Sequence, residues 1–209
     1  MTRYRLIAVA AVPFALFLIL GHAVDRAPDP GWLMFAEIQW VGAGAAVAWP
    51  LTWLGWIDVL APLSILLLLA AGRWRAWRSR NIFAVMSLLV AWQAAAVFQR
   101  VFARPRRLDW IVKHEMTFSY PSSHAAVTTA FYLLLALFIA RSTLPGRAWI
   151  ASLLALLGVA IMWSRLALGA HYLTDIIGGI LLGATVVTVL AACWPTNVLF
   201  EGRAGTSLE

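Results

Sequence analysis

The chain has few charged residues and almost no cysteine. Only 12% of its 209 residues are charged, 63% are hydrophobic, and the mean hydropathy is +0.84. A soluble domain of this length carries about 25% charged residues, so the composition excludes an ordinary soluble protein and predicts a membrane protein. Cys193 is the single cysteine, which excludes an intrachain disulfide. The sequence has no internal repeat and no Gly-x-Ser-x-Gly turn, which disfavours a serine hydrolase.

Apolar runs recur along the chain and predict an all-α, polytopic membrane protein with six transmembrane helices. A helix needs roughly 20 apolar residues to cross the bilayer core, and most runs reach this length once their aromatic or small flanks are counted. We expect the first run to be a retained helix, because Pro28-Asp29-Pro30 is a poor signal-peptide cleavage site. The predicted spans are 6–24, 59–71 with its upstream flank, 82–102, 125–140, 148–164 and 172–193.

The segment 31–56 is rich in tryptophan and glycine. Tryptophan prefers the headgroup level of the bilayer, so we expect a short interfacial helix between the first two spans. Glu37 and Asp58 are expected to face water or headgroups. The chain is predicted to form one domain, 1–209, with its motifs between 99 and 175 and a disordered tail at 195–209.

The arginines predict the orientation of the helices. Alternating spans place nine of them on one side, which the positive-inside rule makes cytoplasmic. These nine are Arg3, Arg5, Arg73, Arg75, Arg78, Arg80, Arg141, Arg147 and Arg203. Five basic residues fall on the other side, namely Arg104, Arg106, Arg107, Lys113 and Arg165. An anionic ligand would explain this second cluster, whereas the arginines at 73–80 are expected to contact anionic lipid. The net charge of +7 therefore does not indicate nucleic-acid binding.

The most specific pattern is Ser164-Arg165 followed by His171 and Asp175. Residues four apart share one face of a helix, so we expect Asp175 to accept a hydrogen bond from one ring nitrogen of His171. The other ring nitrogen would then be free to attack phosphorus. Arg165 is predicted to bind phosphate oxygens, because a guanidinium binds phosphate bidentately.

Pro121-Ser122-Ser123-His124 opens the fourth predicted span. Proline suits the first turn of a helix, and the free N–H groups after it, with the two serine hydroxyls, are typical of an anion site. Simple helix capping is the other role open to the serines. His124 could protonate a leaving oxygen beside the anion.

A metal site is a further possibility for His124, His171 and Asp175, but the neighbouring arginines would repel a cation. We therefore predict neither a metal nor a cofactor. His22 and His114 have no matching partners and are expected at the membrane interface.

These motifs resemble those of the type 2 phosphatidic acid phosphatase superfamily of integral membrane lipid phosphatases. The family motif Ser-Arg-x5-His-x3-Asp is matched without a departure, and Pro-Ser-Gly-His is matched with Ser123 in the glycine place. The first family motif, Lys-x6-Arg-Pro, is degenerate. One register places Gln99 at the lysine and Arg104 and Arg106 at arginines, and a second places Arg104-Pro105 on Arg-Pro. Both lack the lysine, whose charge Arg100 could replace.

The resemblance implies that His171 is a nucleophile that forms a phosphohistidine, that Asp175 orients it, and that His124 is the general acid. It also implies a set of phosphate-binding residues: Arg104, Arg106, Arg165, Ser122 and Ser123, with Gln99 and Arg100 from the first motif. The predicted function is hydrolysis of a lipid phosphate or diphosphate, such as undecaprenyl diphosphate, at the extracytoplasmic face of a bacterial inner membrane. The predicted partners are thus the lipid substrate and the bilayer.

Three alternatives stay open on the sequence. A lipid-to-lipid phosphotransferase would use the same histidine nucleophile. A phosphatase could instead act on phosphatidylglycerol phosphate, phosphatidic acid or the lipid A phosphates. A non-catalytic lipid carrier is disfavoured, because such a relative would be expected to lose His124, His171 or Asp175, and all three are present.

Overall fold

The computed structural model describes residues 2–25, 27–42, 44–107, 117–195 and 198–199, and these ranges contain helices and no strand. The helices are α1 (Arg3–Ala23), α2 (Gly31–Ile38), α3 (Ala45–Trp53), α4 (Ile57–Arg73), α5 (Arg78–Phe102), α6 (Ser123–Thr128), α7 (Leu134–Ala140), α8 (Arg147–Ala167) and α9 (Leu173–Cys193). A 3-10 turn, Arg75–Trp77, precedes α5, and a π-helical turn, Thr129–Leu133, joins α6 to α7.

Five helices are long and apolar enough to cross a membrane: Arg3–Ala23, Arg75–Phe102, Ser123–Ala140, Arg147–Ala167 and Leu173–Cys193. Helices α3 and α4 pass the same test together, but they are bent by 44° at the break between them. The described residues thus contain five candidate spans, or six if the bent pair crosses as one. The predicted all-α, polytopic membrane fold is confirmed.

The tryptophan-rich segment contains more structure than the single short helix predicted for it. Helix α2 is followed by a turn and a second helix, α3, which packs along α8. Gly42, in the turn after α2, and Gly44, the N-cap of α3, adopt positive φ angles of 81° and 68°, which glycine tolerates. The Gly42 amide donates to the Ala167 carbonyl at 2.8 Å, so this turn is fixed to the end of α8.

Helix α9 packs against α1, α5 and α6, and glycines permit its close approach to α6. A Cβ atom added at Gly179 would lie 2.5 Å from the Ser122 carbonyl oxygen, and one at Gly183 would lie 2.6 Å from that of Ala126. Close packing through small residues is typical of membrane helices. It places the beginning of α6 beside the beginning of α9.

The two ends of the helix bundle have different contacts. At one end Trp194 Nε1 donates to Ser79 Oγ at 2.9 Å, and Arg141 donates to the Leu199 carbonyl. The predicted motifs meet at the other end. His22 and Asp58 are exposed, as expected. Predictions for Arg203, Lys113, His114 and most of the tail concern residues outside the described ranges.

Candidate active site

Three segments that are distant in sequence meet at one end of the bundle. They are the stretch after α5, the start of α6, and the turn between α8 and α9. The Ser119 amide donates to the Arg104 carbonyl at 2.8 Å, which joins the first segment to the second. The Ser122 amide donates to the Asp175 carbonyl at 3.0 Å, which joins the second to the third.

His171 and Asp175 contact each other at the N-terminus of α9. Nδ1 of His171 lies 3.3 Å from Oδ2 of Asp175, and both side chains are fully buried. The sequence predicted two residues on one helical face, but His171 lies before the first residue of α9. Asp175 reaches back across the first turn and also accepts a hydrogen bond from the Tyr172 amide at 2.9 Å. A helix-capping arrangement therefore sets the contact.

The second ring nitrogen of His171, Nε2, lies 3.2 Å from Nη1 of Arg106. A guanidinium has donors only, so this contact requires the lone pair on Nε2 and the proton on Nδ1, directed at Asp175. Burial, helped by the charge of Arg106, lowers the pKa of His171 to about 4, although Asp175 acts in the opposite direction. The imidazole is therefore neutral at neutral pH, as a nucleophile must be.

Arg104 holds the far side of Asp175. Its Nη1 lies 2.6 Å from Oδ1 of Asp175 and 2.8 Å from Oγ1 of Thr174, and its Nη2 lies 2.7 Å from Oδ1 of Asp29. Its Nε donates to the Ala27 carbonyl at 2.8 Å. All three guanidinium nitrogens are thus engaged and the side chain is fully buried. Arg104 contacts Oδ1 of Asp175, whereas His171 contacts Oδ2. Its predicted phosphate-binding role stays a prediction that these contacts disfavour.

Two more carboxylates cap α9. The Thr174 amide donates to Asp29 at 3.3 Å, and the Leu173 amide donates to Glu37 at 2.7 Å. Glu37 also pairs with Arg107 at 2.7 Å. The expectation that Glu37 faces water or headgroups was wrong, since the residue is only 2% exposed. The physical reason is the helix N-terminus, whose free N–H groups and positive dipole attract carboxylates.

This buried acidic pair was missed by the sequence analysis. Burial and a hydrogen bond with Asp29 raise the pKa of Glu37 to about 7. The ring of Tyr172 lies 4.1 Å from the guanidinium carbon of Arg104 and 5.2 Å from that of Arg107, so both arginines also make cation–π contacts. The sequence does contain a signal for these two residues, because burying an ionisable side chain in an apolar segment costs free energy unless the side chain is paired.

Arg106 lies on the other side of His171 and is partly buried. Its Nε and Nη2 each contact Thr117 at 2.8 Å, and its Nη1 contacts the Ala170 carbonyl at 3.0 Å in addition to the imidazole. Of the two arginines, Arg106 is thus the one beside Nε2 of His171. This geometry favours the register that places Arg106 at the second arginine of the first motif.

His124 and Arg165 belong to the same group of side chains. Nε2 of His124 is buried and has no hydrogen-bond partner among the described residues. The positive charges of Arg165 and Arg106 both act on the His124 ring. Arg165 is fully buried, and its Nη1 donates to Oγ1 of Thr52 at 2.6 Å. No group of three or more potential metal-binding side chains occurs within the described part of the chain.

An apolar cavity of about 160 Å³ lies beside His124. Its polar lining comes from Ser123 and His124, and its remaining lining is Gly55, Trp56, Ile57, Leu60, Leu88, Trp92 and Val127. A Cβ atom at Gly55 would lie 2.6 Å from Cδ2 of His124, so glycine lets the break between α3 and α4 touch the ring. An apolar chain attached to a phosphate would fit this chemistry.

The other residues predicted to bind phosphate either form hydrogen bonds with backbone groups or are exposed. Ser122 is the N-cap of α6, and its hydroxyl accepts from the Ala125 amide at 3.4 Å. Gln99 Nε2 donates to the Pro121 carbonyl at 3.0 Å. Arg100 is exposed and lines a separate cleft of about 190 Å³. Phosphate binding by Gln99 and Arg100 stays a prediction, because none of the contacts described here brings them to His171.

Comparisons with known proteins identify a family for the part of the chain that contains most of these residues. The family model described as "PAP2 superfamily" matches residues 97–199. The chain is similar to "Putative undecaprenyl-diphosphatase YbjG" of Escherichia coli (strain K12), at 34% identity over 100 residues. That alignment covers 47% of this chain and 46% of the relative, so the match spans about half of each.

The fold is similar to that of a solved structure described as the first transmembrane PAP2 type phosphatidylglycerolphosphate phosphatase from Bacillus subtilis. The TM-score is 0.71, the identity is 22%, and the match covers 88% of this chain and 94% of that one. Over residues 97–199 the chain belongs to the PAP2 superfamily, which confirms the resemblance found in its motifs. It is a multi-pass membrane protein.

Proposed function

We propose that the protein is a metal-independent membrane phosphatase that hydrolyses a lipid phosphate or diphosphate through a phosphohistidine at His171. The observation that carries this proposal is the state of the His171 ring. Nδ1 is directed at Asp175, and the lone pair of Nε2 is directed at Arg106. A bound phosphoryl group would draw the Arg106 guanidinium onto its oxygens and leave Nε2 facing phosphorus.

The reaction proceeds in two steps. First, Nε2 of His171 forms a bond to phosphorus while the bond from phosphorus to the leaving oxygen breaks, and that oxygen takes a proton from Nε2 of His124 in its doubly protonated form, which the second step restores. Asp175 stabilises the positive charge on the phosphorylated ring. Second, His124 takes a proton from water, the water oxygen attacks phosphorus, and the nitrogen–phosphorus bond breaks. This step releases inorganic phosphate and restores neutral His171.

Arginines supply the positive charge that the transition state requires. Arg106, from the first motif, and Arg165, from the third, would bind the phosphate oxygens. The start of α6 would add the Ser123 amide and the side chains of Ser122 and Ser123. Arg104 is assigned a different task, because it already pairs with two buried carboxylates. It fixes the position of Asp175.

The proposed substrate is a lipid, for which the cavity beside His124 would accept the apolar part. The name of the Escherichia coli relative favours undecaprenyl diphosphate, whereas the solved structure from Bacillus subtilis suggests phosphatidylglycerol phosphate as the second candidate. The distribution of arginines supports a bacterial inner membrane with the active site on its extracytoplasmic face.

The test is phosphate release by the purified protein from a panel containing undecaprenyl diphosphate, phosphatidylglycerol phosphate and phosphatidic acid. We expect His171→Ala to abolish turnover. His22→Ala is the matched control, since His22 is exposed at the end of α1, and it should keep wild-type activity. Rapid quenching with a ³²P-labelled substrate should trap acid-labile label on the wild type only. Turnover by His171→Ala at the wild-type rate would refute the proposal.

A further inference from the structure

We propose that Thr52 is a positioning residue that holds the phosphate-binding Arg165 and the general acid His124 in one arrangement. The inference rests on the proposed function. Thr52 is not part of any motif recognised in the sequence. It lies near the end of α3, just before the break that separates α3 from α4, and its side chain is fully buried.

Thr52 contacts both catalytic neighbours through different atoms. Its hydroxyl oxygen accepts a hydrogen bond from Nη1 of Arg165 at 2.6 Å. Its backbone lies within hydrogen-bonding reach of the His124 ring. Since Nε2 of His124 has no partner among the described residues, the ring nitrogen engaged by Thr52 is Nδ1. A proton held on Nδ1 leaves Nε2 as the nitrogen that exchanges protons with the leaving oxygen and water.

Neighbouring contacts fix Thr52 in place. The hydroxyl of Tyr132 donates to the Leu54 carbonyl at 2.7 Å, and the Gly55 amide donates to the Thr52 carbonyl at 3.0 Å. Gly55 itself touches the His124 ring. The residues around the break between α3 and α4 are thus held by contacts from α6, α8 and the π-helical turn. Within this stretch, Thr52 is the residue that contacts both Arg165 and His124.

The chemical consequence concerns the direction of the Arg165 guanidinium. One N–H group is committed to Thr52, and this contact fixes the plane of the guanidinium and therefore the direction from which it can bind phosphate oxygens. Valine has the shape of threonine but cannot accept this hydrogen bond. Thr52→Val therefore removes the orienting contact while leaving the backbone contact to His124 and the packing unchanged.

The experiment compares Thr52→Val, Thr52→Ser and the control Thr128→Val. Thr128 is equally buried, and its hydroxyl has no hydrogen-bond partner within the described ranges. We expect Thr52→Val to lower kcat/KM for the best lipid phosphate by about 10- to 100-fold, the range for loss of a hydrogen bond to a charged group. Thr52→Ser should stay within about threefold of wild type, because serine restores the acceptor. Thr128→Val should be silent.

Two further measurements separate positioning from a general structural defect. In an Arg165→Ala background, Thr52→Val should cause little additional loss, because the contact it removes is already absent. Thr52→Val should also weaken binding of tungstate, a phosphate mimic, by a similar factor. Full activity of Thr52→Val, equal damage by Thr52→Ser, or an undiminished effect in the Arg165→Ala background would overturn the inference.

Failure of the proposed function has a different signature. If the wild type releases phosphate from none of the lipids, the phosphatase proposal fails and tungstate affinity alone decides the role of Thr52. Weaker tungstate binding by Thr52→Val, rescued in Thr52→Ser, would then still support Thr52 as the residue that orients Arg165. Equal tungstate affinity in the wild type and both variants would overturn it.

Discussion

Arg104 and Arg106 are two residues apart, but they have different contacts, and substitution should separate the roles proposed for them. Arg104→Ala would leave Asp29 and Asp175 buried without their shared cation. Removing one partner of a buried ion pair typically destabilises a protein by about 3–5 kcal/mol. This is a large share of the roughly 5–15 kcal/mol by which domains are stable. We expect Arg104→Ala to lower the unfolding temperature strongly.

Arg106→Ala should have the opposite profile. The residue is only partly buried, and its contacts include Thr117, a backbone carbonyl and the neutral imidazole, whereas Arg104 is fully buried between two carboxylates. Its loss should therefore change stability little. Loss of one preorganised donor to the developing phosphoryl charge should reduce kcat by about 10²–10³, or 2.7–4 kcal/mol.

The assay pairs tryptophan-detected thermal unfolding in detergent with phosphate release from the best lipid substrate. Arg104→Lys is included because Arg104→Ala could fail to fold. Lysine keeps the charge but cannot match the forked contacts to both carboxylates, so its unfolding temperature should lie below wild type. The reasoning is refuted if Arg104→Lys is as stable as wild type and loses more activity than Arg106→Ala. That result would also favour the register with Arg104-Pro105 on Arg-Pro.

Three other predictions follow from the same contacts. Because the pKa of His171 lies at about 4, kcat/KM should fall on acidification with a midpoint near pH 4, and a midpoint at 6.5 would contradict this. EDTA should leave turnover unchanged and vanadate should inhibit it, whereas rescue by a divalent ion would contradict an arginine-based site. The raised pKa of Glu37 makes the folded state bind a proton more tightly, so stability should fall from about pH 4.5 to about pH 7. Glu37→Gln should flatten this dependence in thermal unfolding, and an unchanged slope would contradict the assignment.

The sequence predicted the parts of this site whose signal is local. Long apolar runs specify membrane helices directly, and the spacing of Ser164, Arg165, His171 and Asp175 identifies a family motif. Even here the reason for a contact differed from the expected one. His171 meets Asp175 because the carboxylate caps the start of α9, and a spacing of four residues fits a helical face and a cap equally well.

The contacts of the residues that surround the motifs could not be predicted, because the residues that pair with each other are far apart in the chain. Asp29, Glu37 and Thr52 lie in the poorly patterned region before α4, and each gains its role from a residue at least 70 positions away. Periodicity reports which side of a helix is apolar, but it does not report which distant group meets an isolated polar residue. The useful rule is energetic: an acidic or hydroxyl side chain in an apolar segment must find a partner.

The same rule accounts for the contact made by the residue at the lysine position of the first motif. Gln99, at the lysine position, is buried and donates to the Pro121 carbonyl, so its side-chain amide links the first motif to the second by a hydrogen bond. The positive charge around His171 comes instead from Arg106 and Arg165, while Arg104 is neutralised by Asp29 and Asp175. In this chain the three residues of the degenerate motif therefore have different contacts: Gln99 binds the backbone of the next motif, Arg104 pairs with Asp175, and Arg106 lies beside Nε2 of His171.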